Sequence, residues 1–222
     1  MVTVAVGDAV IVGARGGSYR EQLVVDADLV VRRPRGVSPE QAASLPSSAV
    51  AGYSLVHHLG ITAADTLLVH GAAGSVGAAA VQIAVARGAR VIGTASVANQ
   101  DYLRSIGAIP VDYAGDLISA VRSIGTVTAS ADAVGGRNSV HATTQLLSNM
   151  ARAVTVWGEE HSVSAGIPWV EHPIDELERT VELAAIGKLV VRIAEILPLA
   201  KAATAFEHSM GAHTPGKILL RV

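Results

Sequence analysis

The sequence predicts an α/β fold built on a doubly wound parallel sheet. Between residues 47 and 187, short apolar runs typical of buried strands alternate with longer helical stretches, and glycines follow most of the helical stretches. The first strong strand in this region also ends in a glycine-rich turn that opens a helix. In a doubly wound sheet, such a turn lies at the edge where ligands bind.

The chain begins with strand-like segments joined by turns. Three short apolar runs predict strands, at residues 4–12, 19–25 and 29–31. Ser38 and Pro39 then predict the start of a helix, with Ser38 as its N-cap and Pro39 in its first turn. A second helix is expected at 48–59.

The strongest signal is one strand–turn–helix–strand segment. An apolar run at 66–70 predicts a strand buried on both faces, and it leads into the turn GAAGSVG at 71–77. Small and aliphatic residues at 78–87 predict a helix that packs tightly on the sheet. Gly88 is its expected stop, before a second strand at 90–94.

The glycine-rich turn fits a bound dinucleotide. Gly74 lets the backbone approach a pyrophosphate, Gly77 lets the helix lie close to the strand, and the free N–H groups of the helix start face the anion. Ala72 stands where the usual GxGxxG pattern has its first glycine, so the evidence for a nucleotide site comes from the surrounding strand and helix. The alternative is a turn that only packs the strand on the helix.

The residues after the second strand bear on which dinucleotide binds. An NAD site usually has Asp or Glu about 20 residues after the glycines, to bind the ribose 2′-hydroxyl. Residues 93–100 contain no acid, and Ser96, Asn99 and Gln100 offer an uncharged pocket for a 2′-phosphate. The sequence therefore favours NADPH over NAD(H), although no Lys or Arg follows Ser96 until Arg104.

The alternation continues to the end of the sheet region, and the tail changes character. Further strands are predicted at 109–112, 129–134 and 153–157. Further helices are predicted at 100–106, 116–124, 138–147 and 174–186. The tail predicts a strand at 189–194, an amphipathic helix at 199–210 and a final strand at 216–222.

Composition argues against several classes of protein. The formal net charge is −2 and the charges are scattered, which disfavours nucleic-acid binding. The start lacks a basic signal segment, and no apolar run approaches the roughly 18 residues of a membrane span, so we expect a cytoplasmic protein without membrane contact. The chain has no cysteine, and no other histidine lies three to five residues from the adjacent pair His57 and His58, so no metal site is predicted.

Motifs spread over almost the whole chain agree with one known family. They are VGDAV at 6–10, GSYREQLVV at 17–25, PEQAASLP at 39–46, LLVHGAAGSVGAAAVQIA at 67–84, VIGTAS at 91–96, LRSIGA at 103–108, DAVGG at 132–136, GKLVVRIAEILPLAKAATAFE at 187–207 and PGKILL at 215–220. On these motifs the sequence resembles the medium-chain dehydrogenase/reductase superfamily, in its zinc-free quinone oxidoreductase and enoyl reductase branch.

The resemblance implies two domains and a homodimer. A Rossmann nucleotide-binding domain is expected at 47–187, and residues 1–46 with 188–222 are expected to form a truncated GroES-like β domain. The truncation is expected because the first barrel strands of the family, which help to hold the substrate, have no counterpart before Met1. The apolar segment 189–196 is the expected dimer contact.

The resemblance also implies which residues meet the cofactor. Gly74, Ser75, Val76 and Gly77 are assigned to the pyrophosphate, Ser96 and Gln100 to the adenosine phosphate, Tyr113 to the adenosine side, and Val134, Gly135, Trp157 and Gly158 to the nicotinamide. Family members often carry a basic residue where Gln100 stands.

Catalytic groups are expected at the carboxyl ends of the strands. Glu159, Glu160 and His161 directly follow the fifth strand of the sheet, and a carboxylate beside an imidazole can perform acid/base chemistry. The alternative is a solvated charged loop. Tyr53 and Asp132 are further possible donors, although Asp132 could instead accept hydrogen bonds from backbone N–H groups.

Two functions follow from these residues. The first is an NADPH-dependent reductase that transfers hydride to a quinone or to an α,β-unsaturated carbonyl compound. The second is a non-redox enzyme, such as a cyclase, isomerase or dehydratase, that keeps a degenerate reductase scaffold. A catalytically silent binding or structural protein is a third possibility.

Overall fold

The computed structural model describes residues 4–13, 16–171, 176–210 and 216–222. The chain forms two compact units, one comprising Met1–Val50 with Pro173–Val222 and the other comprising Ala51–His172. We call the second the sheet unit and the first the terminal unit. The predicted domain limits after residues 46 and 187 remain predictions.

The regular elements are labelled in chain order. The strands are β1 (Val10–Val12), β2 (Val30–Arg32), β3 (Thr66–His70), β4 (Arg90–Ala95), β5 (Ile109–Asp112), β6 (Ala129–Asp132), β7 (Ala153–Thr155), β8 (Ile193–Pro198) and β9 (Lys217–Arg221). The α-helices are α1 (Pro39–Ser44), α2 (Val50–His58), α3 (Ser75–Ala86), α4 (Gln100–Ser105), α5 (Leu117–Ile124), α6 (Arg137–Leu146), α7 (Glu160–Ser164), α8 (Leu177–Ala185) and α9 (Ala202–Met210).

A five-stranded parallel sheet organises the sheet unit. Its strand order is β5-β4-β3-β6-β7, and Leu68 at its centre is paired with Ile92 on one side and Ser130 on the other. The chain builds outward from β3 through β4 to β5, then crosses back to β6 and continues to β7. The predicted doubly wound α/β fold is therefore confirmed, and its strand order reverses between β3 and β6.

Burial on both faces holds the central strands. Leu67, Leu68 and Val69 of β3 are fully buried, as the uninterrupted apolar run predicts. One core cluster joins Leu68 and Ile92 to side chains from the helices and loops above them, among them Val121, Val140 and Ile167.

Local hydrogen bonds explain why two predicted strands end early. The strand predicted at 129–134 ends at Asp132, because the Val134 N–H donates to Asp132 Oδ1 at 3.0 Å. The strand predicted at 153–157 ends at Thr155, because the Trp157 N–H donates to Thr155 Oγ1 at 3.0 Å. In both places, a side chain of the strand turns the following backbone away from the sheet.

The terminal unit contains two small sheets. β1 pairs with β2 in antiparallel orientation, and β8 pairs with β9 in parallel orientation. Ser38 caps α1 by accepting the Gln41 N–H at 3.1 Å, as predicted. The strand predicted at 19–25 is wrong: Val24 is fully exposed, and no strand among the described residues pairs with this segment. The described residues show no closed barrel.

Gln41 explains a second wrong boundary. The strand predicted at 189–194 begins only at Ile193. The Gln41 carboxamide binds both backbone groups of Val191, donating to its carbonyl at 2.8 Å and accepting its N–H at 2.9 Å. These are the groups that a neighbouring strand would use. The predicted start of the helix at 174 lies outside the described residues, and α8 begins at Leu177.

None of the helices in the described residues has both the length and the apolar character that a membrane crossing requires.

Candidate functional site

The carboxyl ends of the five parallel strands form one edge of the sheet, which we call the carboxyl edge. Every residue predicted to bind the cofactor follows one of these strands. In spatial order across the edge they are Tyr113 after β5, Ser96 and Gln100 after β4, Gly74 to Gly77 after β3, Val134 and Gly135 after β6, and Trp157 and Gly158 after β7. The structure therefore brings the predicted cofactor residues to the same edge, where the strand order reverses.

The glycine-rich turn is fixed to its neighbouring strand. The Gly71 N–H donates to Thr94 Oγ1 at 3.2 Å, and the Ala72 N–H donates to the Thr94 carbonyl at 3.0 Å. The first helical bond of α3 runs from the Ala78 N–H to the Gly74 carbonyl. The three preceding N–H groups, from Ser75 to Gly77, therefore lack helical acceptors, which makes the start of α3 a suitable anion site.

The two glycines of the motif have different structural roles. A Cβ atom at Gly77 would lie 2.2 Å from the Gly71 oxygen and 2.8 Å from the Ala72 Cα, so only glycine fits there. A Cβ atom at Gly74 would lie 3.3 Å from the Gly71 oxygen, which is tight but not prohibitive. Packing thus explains glycine at position 77, as predicted, but gives only a weak reason for glycine at position 74.

The predicted adenosine side of the edge, after β4 and β5, carries several polar groups. Ser96 Oγ accepts from the Asn99 amide at 3.2 Å, and Gln100 Oε1 lies 3.4 Å from the Arg104 guanidinium. Tyr113 is more than half exposed at the end of β5. These groups offer donors and an aromatic surface without an acid at the end of β4.

On the predicted nicotinamide side, after β6 and β7, two large apolar side chains are exposed. Val134 is 56% exposed and Trp157 is 49% exposed, which is unusual for large apolar side chains. Gly135 has a φ of 73°, and a Cβ atom there would lie 3.0 Å from Trp157 Cγ. The indole ring of Trp157, which follows β7, therefore packs closely against the backbone of the loop after β6.

Asp132 supports this loop from below. Its buried carboxylate accepts the N–H groups of Val134 at 3.0 Å and Gly135 at 2.9 Å, and the Ser139 hydroxyl at 2.8 Å. The interpretation of Asp132 as an acceptor of backbone N–H groups is confirmed. Ser139 was missed because a single serine in a helix carries no sequence signal of such a contact.

A second buried polar group lies beneath the edge. His70 Nε2 lies 3.1 Å from Thr143 Oγ1, and Thr143 Oγ1 lies 3.0 Å from Ser130 Oγ. Complete burial lowers the pKa of His70, and the nearby Asp132 carboxylate offsets only part of that effect. His70 is therefore a neutral packing residue. Sequence reasoning missed Ser130 and Thr143, which are linked only through the fold.

The structure separates the three acid/base candidates that follow β7. Glu159 Oε2 accepts the Gly136 N–H at 3.0 Å and lies 2.7 Å from His161 Nε2. His161 Nε2 has no hydrogen-bond partner among the described residues, so this second contact is close but lacks hydrogen-bond geometry. Glu160 is exposed in the first turn of the short helix α7, which the sequence did not predict. Glu159 and His161 thus form a pair, and Glu160 is not part of it.

Tyr53 has partners of another kind. Its ring stacks on His57 with centroids 5.6 Å apart, and the Arg87 guanidinium lies 5.6 Å from the ring centroid. Arg87 follows the C-terminal end of α3, whereas the glycine-rich turn opens its N-terminal end. These contacts fit a packing role, and catalysis by Tyr53 remains a prediction.

A parallel sheet with this strand order and a glycine-rich turn at its centre defines a nucleotide-binding α/β protein. The family model of zinc-binding dehydrogenases matches residues 91–220, more than half of the chain. The chain belongs to this family, within the medium-chain dehydrogenase/reductase superfamily. An oxidoreductase with a nicotinamide cofactor is the class that this membership supports.

Individual relatives agree with this class. The chain is 34% identical over 98% of its length to polyketide synthase GfsB of Streptomyces halstedii, of which it spans 4%. It matches the quinone oxidoreductase of Coxiella burnetii with a TM-score of 0.77 and 28% identity, covering 88% of this chain and 65% of that one. It matches an NAD-dependent alcohol dehydrogenase with a TM-score of 0.82 and 25% identity, covering 94% and 66% of the two chains.

Zinc does not fit the described residues, although the family is named for it. The chain contains no cysteine. Within residues 4–13, 16–171, 176–210 and 216–222, no group of three or more His, Asp or Glu side chains could hold a metal ion. No step below uses zinc, and the absence of a metal site remains a prediction.

Proposed function

We propose that the chain acts as an NADPH-dependent reductase of a quinone or an α,β-unsaturated carbonyl compound. The main support is the glycine-rich turn at the reversal of strand order, with a polar side and an apolar side flanking it. A dinucleotide has the same asymmetry, because its adenosine end carries phosphate and hydroxyl groups and its nicotinamide end is a flat ring. The relatives named as a quinone oxidoreductase, from Coxiella burnetii, and as a polyketide synthase, from Streptomyces halstedii, are consistent with a substrate of the quinone or polyketide class.

The turn and helix α3 bind the pyrophosphate in this proposal. The N–H groups of Ser75, Val76 and Gly77 donate to its oxygens, and the missing side chain of Gly74 lets the backbone approach. The dipole of α3 adds a favourable field for the negative charge. The adenosine end is then contacted by Ser96, Gln100 and the ring of Tyr113. These residues suit it because they offer polar groups and an aromatic surface.

The loops after β6 and β7 would hold the nicotinamide end. Val134 and Trp157 would cover the ring and exclude water from it. Trp157 already fills the space beside Gly135, whereas a Cβ atom at Gly158 would meet only Trp169 Cγ at 3.8 Å, so Gly158 would leave room for the edge of the ring. The bound cofactor supplies the hydride, which is the chemistry that the protein itself lacks. The protein's task on this side is to orient the ring and keep it dry.

Reduction of a conjugated double bond also requires a proton. Hydride adds to the carbon remote from the carbonyl group, and a proton must reach the carbon beside it. We assign proton delivery to the Glu159–His161 pair, because it lies after β7, next to Trp157, and its two groups are in contact. Glu159 is held in place by the Gly136 N–H.

Cofactor titration tests the binding step. Saturable binding of NADPH, followed by its fluorescence, is expected, with weaker binding of NADH. Consumption of NADPH is then measured with p-benzoquinone and with a 2-enoyl thioester. Gly115→Ala is a matched control, since a Cβ atom there meets nothing within 4 Å. The proposal is wrong if neither cofactor binds at millimolar concentration.

A non-redox enzyme is the second candidate function, and the Glu159–His161 pair is the observation that favours it. A carboxylate and an imidazole in contact can move protons without a nicotinamide cofactor. Glu159→Gln and His161→Gln should each abolish such activity, and Glu160→Gln should leave it unchanged. Turnover that depends on added NADPH would reject this candidate.

We further propose that the chain forms a homodimer through β8. In the described residues β8 is paired with β9 only, and its apolar side chains, such as Ile196 at 38% exposure, are incompletely covered. An edge strand of this kind favours pairing with a second copy across a two-fold axis. Light scattering at micromolar concentration should give twice the chain mass of 22.7 kDa. A monomer at all concentrations would reject the dimer.

A further inference from the structure

We propose that Arg104 binds the 2′-phosphate of NADPH and that Asp101 opposes this contact, an inference that rests on the proposed function. The predicted contacts of Ser96 and Gln100 leave the phosphate without a cationic partner. Arg104 supplies that cation from one helical turn further along the chain. The specificity for NADPH therefore depends on a short cluster on α4.

The position of Arg104 follows from the geometry of α4. Gln100 is the first residue of this helix, and Arg104 lies four residues later on the same face. Its guanidinium reaches back to within 3.4 Å of Gln100 Oε1. Long side chains on a helix lean toward the N-terminus, which for α4 is the end next to the carboxyl edge. The cation is thus brought toward the end of β4.

The surrounding groups include further donors for an anion. Ser96 and Asn99 hydrogen bond to each other at 3.2 Å and are both able to donate to a phosphate. Asp112, at the end of the neighbouring strand β5, accepts the Ala114 N–H at 3.1 Å. No acid follows β4 before Asp101, so Asp101 is the carboxylate to consider on this segment.

Within the described residues, the side-chain partners of Arg104 all lie on its own helix, unlike those of Arg87 and Arg122. The guanidinium of Arg87 donates to the Val56 carbonyl at 3.3 Å, and that of Arg122 donates to the Gln145 carbonyl at 3.0 Å. The partners of Arg104 are the side chains of Gln100 and Asp101. Its position is therefore not explained by a role in holding the fold together.

The ion pair with Asp101 is easily replaced by a phosphate. Arg104 Nη1 lies 2.6 Å from Asp101 Oδ1, but the two side chains are 56% and 99% exposed. Exposed pairs of this kind contribute little to stability. A phosphate carries more charge than a carboxylate and accepts two parallel bonds from a guanidinium. Asp101 nevertheless competes for Arg104 and repels the phosphate.

Two fragments of the cofactor separate this contact from the rest of the site. Calorimetric titration of the full chain with adenosine 2′,5′-bisphosphate and with 5′-AMP compares binding with and without the 2′-phosphate. Arg104→Gln is expected to weaken the bisphosphate about tenfold, the value of one charge-assisted contact, and to leave 5′-AMP unchanged. Asp101→Asn is expected to tighten the bisphosphate about threefold, because it removes a competing charge.

A matched control comes from α8. Arg179 is exposed and forms the same kind of pair, with Glu182 three residues later at 3.1 Å. Arg179→Gln should leave both titrations unchanged. Equal affinity of the unsubstituted chain for the two fragments would overturn the inference. So would binding of neither fragment, or an equal loss of both fragments in Arg104→Gln.

The outcome is distinguishable from failure of the proposed function. Fragment binding requires no hydride transfer. A chain that prefers the bisphosphate through Arg104, but reduces neither test substrate with NADPH, would uphold the inference and reject the reductase.

Discussion

The two edges of the central sheet differ in how their polar groups are used. At the amino edge, where the strands begin, side chains bind one another and the backbone across three strands. At the carboxyl edge, backbone N–H groups at the start of α3 lack helical acceptors, and large apolar side chains are exposed. The same sheet therefore has one edge that stabilises the fold and one that is available to a ligand.

The amino edge is held by a cluster that we call the Asp65 cluster, formed by Asp65, Thr128 and Arg152. Asp65 Oδ1 accepts from Thr128 Oγ1 at 2.9 Å and from the Arg152 guanidinium at 2.6 Å. Arg152 also donates to the Leu59 carbonyl. Asp65 directly precedes β3, Thr128 precedes β6 and Arg152 precedes β7, so the cluster fixes the starts of three strands.

The largest expected effect separates packing from binding within the glycine-rich turn. Gly77→Ala should destabilise the protein by at least about 3 kcal/mol, because the new Cβ atom would meet the Gly71 oxygen at 2.2 Å. Gly74→Ala should cost much less, because its Cβ atom would lie 3.3 Å from that oxygen. Urea unfolding measures both effects.

NADPH titration of the same two variants completes the test. Gly74→Ala should remain folded and lose most of its affinity, because the added methyl group stands where the pyrophosphate approaches. Affinity equal to that of the unsubstituted chain would show that the turn only packs the strand on the helix.

The next effect is expected at the amino edge. Arg152→Met should lower the free energy of unfolding by about 2 kcal/mol, because it leaves the Asp65 carboxylate without its cation and the Leu59 carbonyl without a donor. Binding of NADPH should be unchanged, because the substitution lies at the opposite edge. A weakened affinity would show that the two edges are coupled.

The sequence predicted the sheet unit better than the terminal unit, for a physical reason. The strand at 109–112 was predicted with the observed limits, because an apolar run between a glycine and a turn is a local signal. The segment at 19–25 also ends in an apolar run, but no strand of the described residues pairs with it, and pairing is not a local property. The limit of β8 depends on Gln41, which lies 150 residues from Val191 in sequence.

The candidate site divides in the same way. The positions after each strand could be predicted, because parallel strands place all their carboxyl ends together. The contact between Glu159 and the Gly136 N–H could not, because it joins the loops after two different strands. The link from His70 through Thr143 to Ser130 joins two strands and a helix, and has no pattern within any one of them.

A smaller effect is expected on the pH dependence of stability. The two edges should differ because His70 lies at the carboxyl edge and Asp65 at the amino edge. Burial lowers the pKa of His70, so the unfolded chain binds its proton more readily and stability should decline as the pH falls below about 6.5. His70→Gln should remove this decline.

Asp65 should act in a lower pH range. Partial burial raises its pKa, but hydrogen bonds from Thr62 and Thr128 and the charge of Arg152 outweigh burial, so the pKa lies below the usual 3.8. The stability that Asp65 contributes is present above that value and is lost as the pH falls through the lowered pKa. Urea unfolding from pH 7.5 to 3 should show both ranges, and Asp65→Asn should change only the lower one.

The smallest expected effect is on the nicotinamide side and uses both tryptophans of the chain. Trp157 and Trp169 are 49% and 47% exposed, so their replacement by leucine removes similar apolar surface. Trp157 lies against Gly135, whereas the Trp169 indole N–H donates to the Val156 carbonyl at 3.1 Å. Trp157→Leu should weaken NADPH binding about threefold, the value of one aromatic contact, and Trp169→Leu should not.

In each variant the remaining indole reports binding by its own fluorescence, so quenching by NADPH is expected mainly from Trp157. Equal quenching and equal affinity in the two variants would show that the cofactor does not bind closer to Trp157, beside Gly135, than to Trp169.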